Sequence, residues 1–210
     1  MIIKHPKYKF LNQNPNPTLE EVIHISLAEN KGTDQSLVNG FFFLNEVLNF
    51  SNASVSNLYA KCTPETFAIY ASFQTIGCWQ SGGLAIGVFG NFPQLVPYVS
   101  NAVSEIGYQD IGKAIQNVIA IFPEQTNFSQ NDALYCDILN LMENPKRKTT
   151  HPLLQHINAE EKQGYHQNYI EKLNIAETLI ETQWFWKTKQ EEYHKLKDYY
   201  QAHKAKRLFK

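Results

Sequence analysis

Along most of this chain apolar residues recur at steps of three and four, the spacing that lines one face of an α-helix. Leu95, Val99, Ala102, Val103 and Ile106 form one such stripe, and Gly107 stands where a left-handed cap would end it. Ile111, Ile115, Val118, Ile119 and Phe122 form the next, before Pro123. Two amphipathic helices joined by so short a turn predict a helical hairpin. A third stripe, Leu134, Ile138 and Leu141, lies between Ser129, the expected cap, and Pro145. Asn158 with Glu161 makes a capping box that opens a long helix on Tyr165, Tyr169, Leu173, Ala176 and Ile180. A last helix carries Tyr193, Leu196 and Tyr200 among charges.

Two segments are apolar around most of their circumference and are therefore expected at the centre of the fold. One is "SLVNGFFFLNEVLNF", residues 36–50; the other starts at Thr63-Pro64-Glu65 and runs from Glu65 to about Ile76. Its start combines a capping hydroxyl, a proline at the first helical position and an acid at the positive end of the helix dipole. "SNASVSN" between the two reads as a loop, and "NPKRKTTHP" as an exposed, mobile one. Near the amino terminus Thr18 and Glu21 match a capping box, while Ile23, Ile25 and Leu27 alternate with polar neighbours. A helix is favoured there, with a short strand as the open alternative. The reading is an all-α, single compact multi-helix domain with helical hairpins. Residues 1–62 form a helical extension packed on a core of residues 63–210.

The chain has 210 residues, 43% of them apolar, enough for a continuous core. Its net charge of −1 conceals an asymmetry: residues 187–210 hold eight Lys/Arg against three acids, and residues 1–186 hold eleven against seventeen. Cys62, Cys78 and Cys136 have neither CxxC spacing nor an even count, and read as thiols of a reducing compartment. With no secretory leader or membrane span in the pattern, a cytoplasmic protein is expected.

Candidate chemistry begins with "QSGGLAIGVFGN", which packs four of the ten glycines into residues 80–91. It has neither the GxGxxG nor the GxxxxGK spacing of a phosphate loop, and helices flank it on both sides. Gly82 and Gly83 are therefore read as a structural turn where rods cross closely, gripping no anion. His151, His156, Glu160 and His166 form a loose cluster, the basis of an alternative reading as a metal-binding protein or hydrolase. The capping role of Asn158 breaks the i, i+4 geometry of His156 and Glu160, and no HExxH is present, so no metal, cofactor or catalytic residue is assigned. Trp184, Phe185 and Trp186 are consecutive. Three successive helical residues span about 200°, so part of this aromatic area is expected at the surface, as a partner-binding site. The basic tail "HKAKRLFK" has the charge to touch phosphates, but the acidic body opposes docking, and nucleic acid is not the expected partner.

The stretch "TPETFAIYASFQTIGCWQSGGLAIGVFGN", the hairpin "VPYVSNAVSEIGYQDIGKAIQNVIAIFP" and the closing "WFWKTKQEEYHKLKDYYQAH" together resemble the bacterial DNA-mimic-protein family over roughly residues 60–203. The likeness lies in the order of a Pro-Glu helix start, a Gly-Gly turn, a helix ending Ile-Gly and another ending Phe-Pro. The chain departs from the family pattern in having Ser81-Gly82-Gly83-Leu84 in place of Asn-Gly-Gly-Phe. The resemblance implies an all-helical fold, a homodimer and, in one type of member, an acidic surface that imitates duplex DNA. Seventeen acids diluted by eleven bases over residues 1–186 do not make a phosphate-like array, so mimicry is not carried over. The expected function is a non-enzymatic intracellular protein-interaction module that inhibits or neutralises a protein partner, such as a DNA-binding regulator or a toxin.

Overall fold

The computed structural model describes residues 54–185 and 193–203. Seven α-helices carry the fold of that part: α1 (Val55–Lys61), α2 (Pro64–Gly82), α3 (Val96–Glu105), α4 (Gln109–Ile119), α5 (Ala133–Glu143), α6 (Ala159–Leu179) and α7 (His194–His203). Two π-helical segments, Gly83–Gly90 and Ile180–Phe185, extend α2 and α6, and no strand occurs among the described residues. The all-α reading holds. No described helix is long and apolar enough to cross a membrane. Residues 18–27, the helix expected over 36–50, and the tail after His203 lie outside the described residues.

α2 is the axis of the bundle. Every residue from Thr66 to Ile76 is buried, as its all-round apolar pattern requires. Thr63 caps it through the Thr66 N–H, with Pro64 at the first position. It runs to Gly82, beyond the expected end near Ile76, because Gly77 and Gln80 on its exposed side interrupt the apolar pattern without interrupting the helix. α1, α3, α7 and the first π segment pack on α2; α4 pairs with α3 on one side and α6 on the other, and α5 leans on α6. The π segment touches both α2 and α6 and so closes the arrangement.

The α3–α4 hairpin forms as its stripes predict. Leu95, Val99, Ala102, Val103 and Ile106 are all buried, and Gly107 takes φ 99°. Its N–H donates to the Ser104 carbonyl at 2.9 Å and that of Tyr108 to Val103 at 3.1 Å, the pair of bonds that closes a left-handed helix end. The two backbones meet at Gly112, where an added Cβ would lie 2.0 Å from Ser104 Oγ.

Three local expectations are corrected. The stretch 51–57, read as a loop, contains the start of α1, which Ser54 caps by accepting the Asn57 N–H at 3.2 Å. Val55, Leu58 and Cys62 from this part of the chain join the common core. Asp132, not Ser129, caps α5, accepting from the Tyr135 N–H at 2.8 Å, while Ser129 caps a turn one step earlier through the Asn131 N–H. The exposed loop 144–152 is tied at its far end: Asp137, buried in α5, accepts from the Thr150 N–H at 2.5 Å, the Thr150 hydroxyl at 3.1 Å and the His151 N–H at 2.7 Å.

Candidate interaction face

Four places in the fold gather polar or aromatic groups densely enough to serve as sites. At the glycine corner α2 ends and Gly83 takes φ 69°, a left-handed conformation that favours glycine. Glu177, reaching from α6, fills the corner. Its Oε1 accepts the Leu84 N–H at 2.6 Å and its Oε2 accepts the Trp79 indole N–H. A Cβ on Gly83 would stand 2.7 Å from that Oε1. The structural role expected of Gly82 and Gly83 fits this geometry, with a carboxylate of the chain itself meeting the amide of Leu84. The closest backbone approach is displaced: at Gly87 a Cβ would lie 1.9 Å from the Cys78 carbonyl oxygen.

The aromatic segment at the end of α6 points inward where it can be followed. Trp184 is 1% exposed and stacks on Tyr108 with ring centroids 4.8 Å apart. Lys195 completes the stack from the other element, its Nζ 4.0 Å from the Tyr108 ring centre and donating to the Gly107 carbonyl at 2.5 Å. Burial pushes the Tyr108 phenol far up from its ordinary value. As a partner-binding residue Trp184 is therefore corrected to a core residue. The side chain of Phe185, and Trp186 altogether, lie outside the described residues.

The histidine cluster does not assemble. His151 accepts the Leu153 N–H at 3.4 Å in the turn Pro152–Leu154, His166 bonds the Met142 carbonyl on α5, and His156 and Glu160 are exposed. Among the described residues no group of three or more His, Cys, Asp or Glu is placed to hold a metal ion. The alternative built on these four residues thus loses its geometric basis.

A different face gathers half-exposed aromatics. Tyr59 on α1 is 52% exposed. Its ring centre lies 5.0 Å from that of Phe67 on α2 and 4.9 Å from that of Tyr98 on α3, and Phe67 and Tyr98 are 5.2 Å apart. These are edge and tilted contacts within the favourable range for aromatic pairs, so the three rings hold one another in place. Tyr98 is the shared wall of two clefts. The smaller, about 170 Å³, has Tyr59, Phe67, Ala68 and Ala102 as apolar walls and Glu105 at its edge. The larger, about 430 Å³, is lined by Ser54, Ser56, Gln94, Thr126, Asn127 and Ser129 beside Pro97, Tyr98 and Phe128. Phe128 is fixed by ring contacts to Phe122 and Tyr135, each at 5.4 Å, and the Tyr135 hydroxyl donates to the Phe89 carbonyl at 2.6 Å. The wall it contributes is thereby anchored to the core.

Sequence reasoning missed this face because 51–57 was expected to be irregular. A signal existed: Val55, Leu58 and Cys62 are spaced three and four apart, and a helix that buries them leaves Tyr59 off the stripe. No local signal joins Glu177 to Leu84, which are 93 residues apart. Comparison of the chain with family models, with curated proteins and with solved structures gave no match.

Proposed function

We propose that this chain is a non-enzymatic protein-interaction module that docks its partner on the Tyr59–Phe67–Tyr98 face. The observation that carries the proposal is a tyrosine more than half exposed, braced by two further rings, in the wall of a cleft that shares Tyr98 with a second cleft. Aromatic side chains supply large contact areas at low entropic cost and are enriched where proteins bind one another. The polar groups elsewhere support the same reading: Glu177 and Asp137, carboxylates with several donors each, are committed to holding the fold. Inhibition or neutralisation of the partner, by analogy with other small acidic binders, belongs to the proposal; imitation of DNA does not. So does a cytoplasmic location, in which Cys62, Cys78 and Cys136 stay as the free thiols they are in this structure.

The test is affinity capture from the native cell with two baits, the wild-type chain and Tyr59→Ala, shown to be equally folded by circular dichroism. A protein recovered by the wild type and lost with Tyr59→Ala supports the reading. Recovery of the same proteins by both baits, or of none by either, contradicts it.

A further inference from the structure

The interaction reading leaves the partner's chemistry open, but the two clefts differ enough to specify it. The smaller cleft is a pocket for one apolar side chain: three aromatic rings, a proline and two alanines line it, and its volume is about 170 Å³. Its edge is charged. Glu105 is exposed and accepts the Tyr199 hydroxyl at 3.0 Å, and no cation of the described residues pairs with it.

The larger cleft has no ionisable side chain but Tyr98 in its lining; hydroxyls and carboxamides dominate. Ser54 and Ser129 are occupied by the turns they cap. Thr126 is buried, and its hydroxyl, closed off from solvent, has no partner among the described residues. Because Tyr98 walls both clefts, one occupant that fills the two meets an apolar pocket, a carboxylate and a neutral polar trough in succession. Only a polymer of varied side chains matches that succession. A nucleic acid would bring phosphates against Glu105, and a neutral glycan would leave it unpaired.

We infer, on the basis of the interaction reading, that the two clefts form one groove for an extended peptide segment of the partner protein. The segment places an apolar side chain in the pocket that Tyr59, Phe67, Tyr98 and Ala102 wall, a Lys or Arg beside Glu105, and uncharged Ser, Thr, Asn or Gln residues over Gln94 and Thr126. The charge match steers association and selects register, whereas the ring pocket supplies most of the affinity.

Panning a phage-displayed random heptapeptide library on the full-length protein tests this, followed by titration of the best synthetic peptide. Enriched peptides are expected to join an apolar residue to a neighbouring Lys or Arg and to lack acids. Tyr59→Ala is expected to weaken the peptide by tenfold or more. Glu105→Gln, whose amide oxygen still accepts from Tyr199, is expected to weaken it about three- to fivefold and to abolish its salt dependence. Acidic or charge-indifferent peptides, or no enrichment, overturn the inference. So does a peptide that loses affinity with Tyr59→Ala but not with Glu105→Gln, which leaves the interaction reading standing. A peptide indifferent to Tyr59→Ala removes both.

Discussion

The glycine corner and the Tyr59–Tyr98 face use the same kinds of residue, aromatic rings, a carboxylate and small side chains, with opposite results. At the corner the ingredients close on one another: both oxygens of Glu177 have donors, and the glycines leave no room for a Cβ. On the face Tyr59 is half in solvent, Glu105 accepts from the Tyr199 hydroxyl, and the Thr126 hydroxyl has no partner among the described residues. Glycine-rich sequence and clustered aromatics are therefore poor guides to where a protein binds. What separates the regions is whether each polar group already has its partner within the fold.

The largest effect expected from breaking this contrast is at Gly87. Gly87→Ala would drive a methyl group into the Cys78 carbonyl, and urea denaturation is expected to show a loss of about 4 kcal/mol or more. Trp184→Ala, which empties a buried, stacked indole site, is expected to cost about 3–5 kcal/mol in the same assay. Glu177→Ala leaves the Leu84 amide and the Trp79 indole without their acceptor; about 2–3 kcal/mol of stability should go, while binding at the distant face is unchanged.

A pH titration sharpens the contrast. Burial pushes the Tyr70 phenol up from 10.0 to about 12 and raises those of Tyr108, Tyr135 and Tyr169 as well. The unfolded chain gives up these protons near pH 10 while the folded chain still holds them. Stability is therefore undiminished below about pH 10 and falls as pH rises through the folded values, by about 2–3 kcal/mol for Tyr70 alone. Tyrosinate absorbance and ellipticity should change together as the core tyrosines ionise on unfolding. The smallest stability effect belongs to Tyr59→Ala, about 1 kcal/mol, the worth of its ring contacts.

The helical stripes, the Gly107 cap, the Thr63 start and the Asn158–Glu161 box were all legible in the sequence, because each depends on residues within a few positions of one another. The centre of the bundle was legible too, from the all-round apolar character of Thr66 to Ile76. What escaped depends on pairs distant in the chain. Nothing near Gly83 announces Glu177, and nothing near Trp184 announces Tyr108, so the corner was read without the carboxylate that fills it and a stacked core residue as a surface anchor. Tyr59 escaped for a nearer reason: Ser- and Asn-rich sequence competes with helix locally, and here the burial of Val55, Leu58 and Cys62 decides the outcome.

Chemical-shift mapping with the selected peptide tests the central contrast most directly. The open face predicts perturbations at Tyr59, Tyr98, Ala102 and Thr126, with the Leu84 amide and the Trp79 indole unmoved. Perturbation of the Leu84 and Trp79 signals with Tyr59 and Tyr98 unchanged would contradict it, since the ligand would then be displacing Glu177 from the corner.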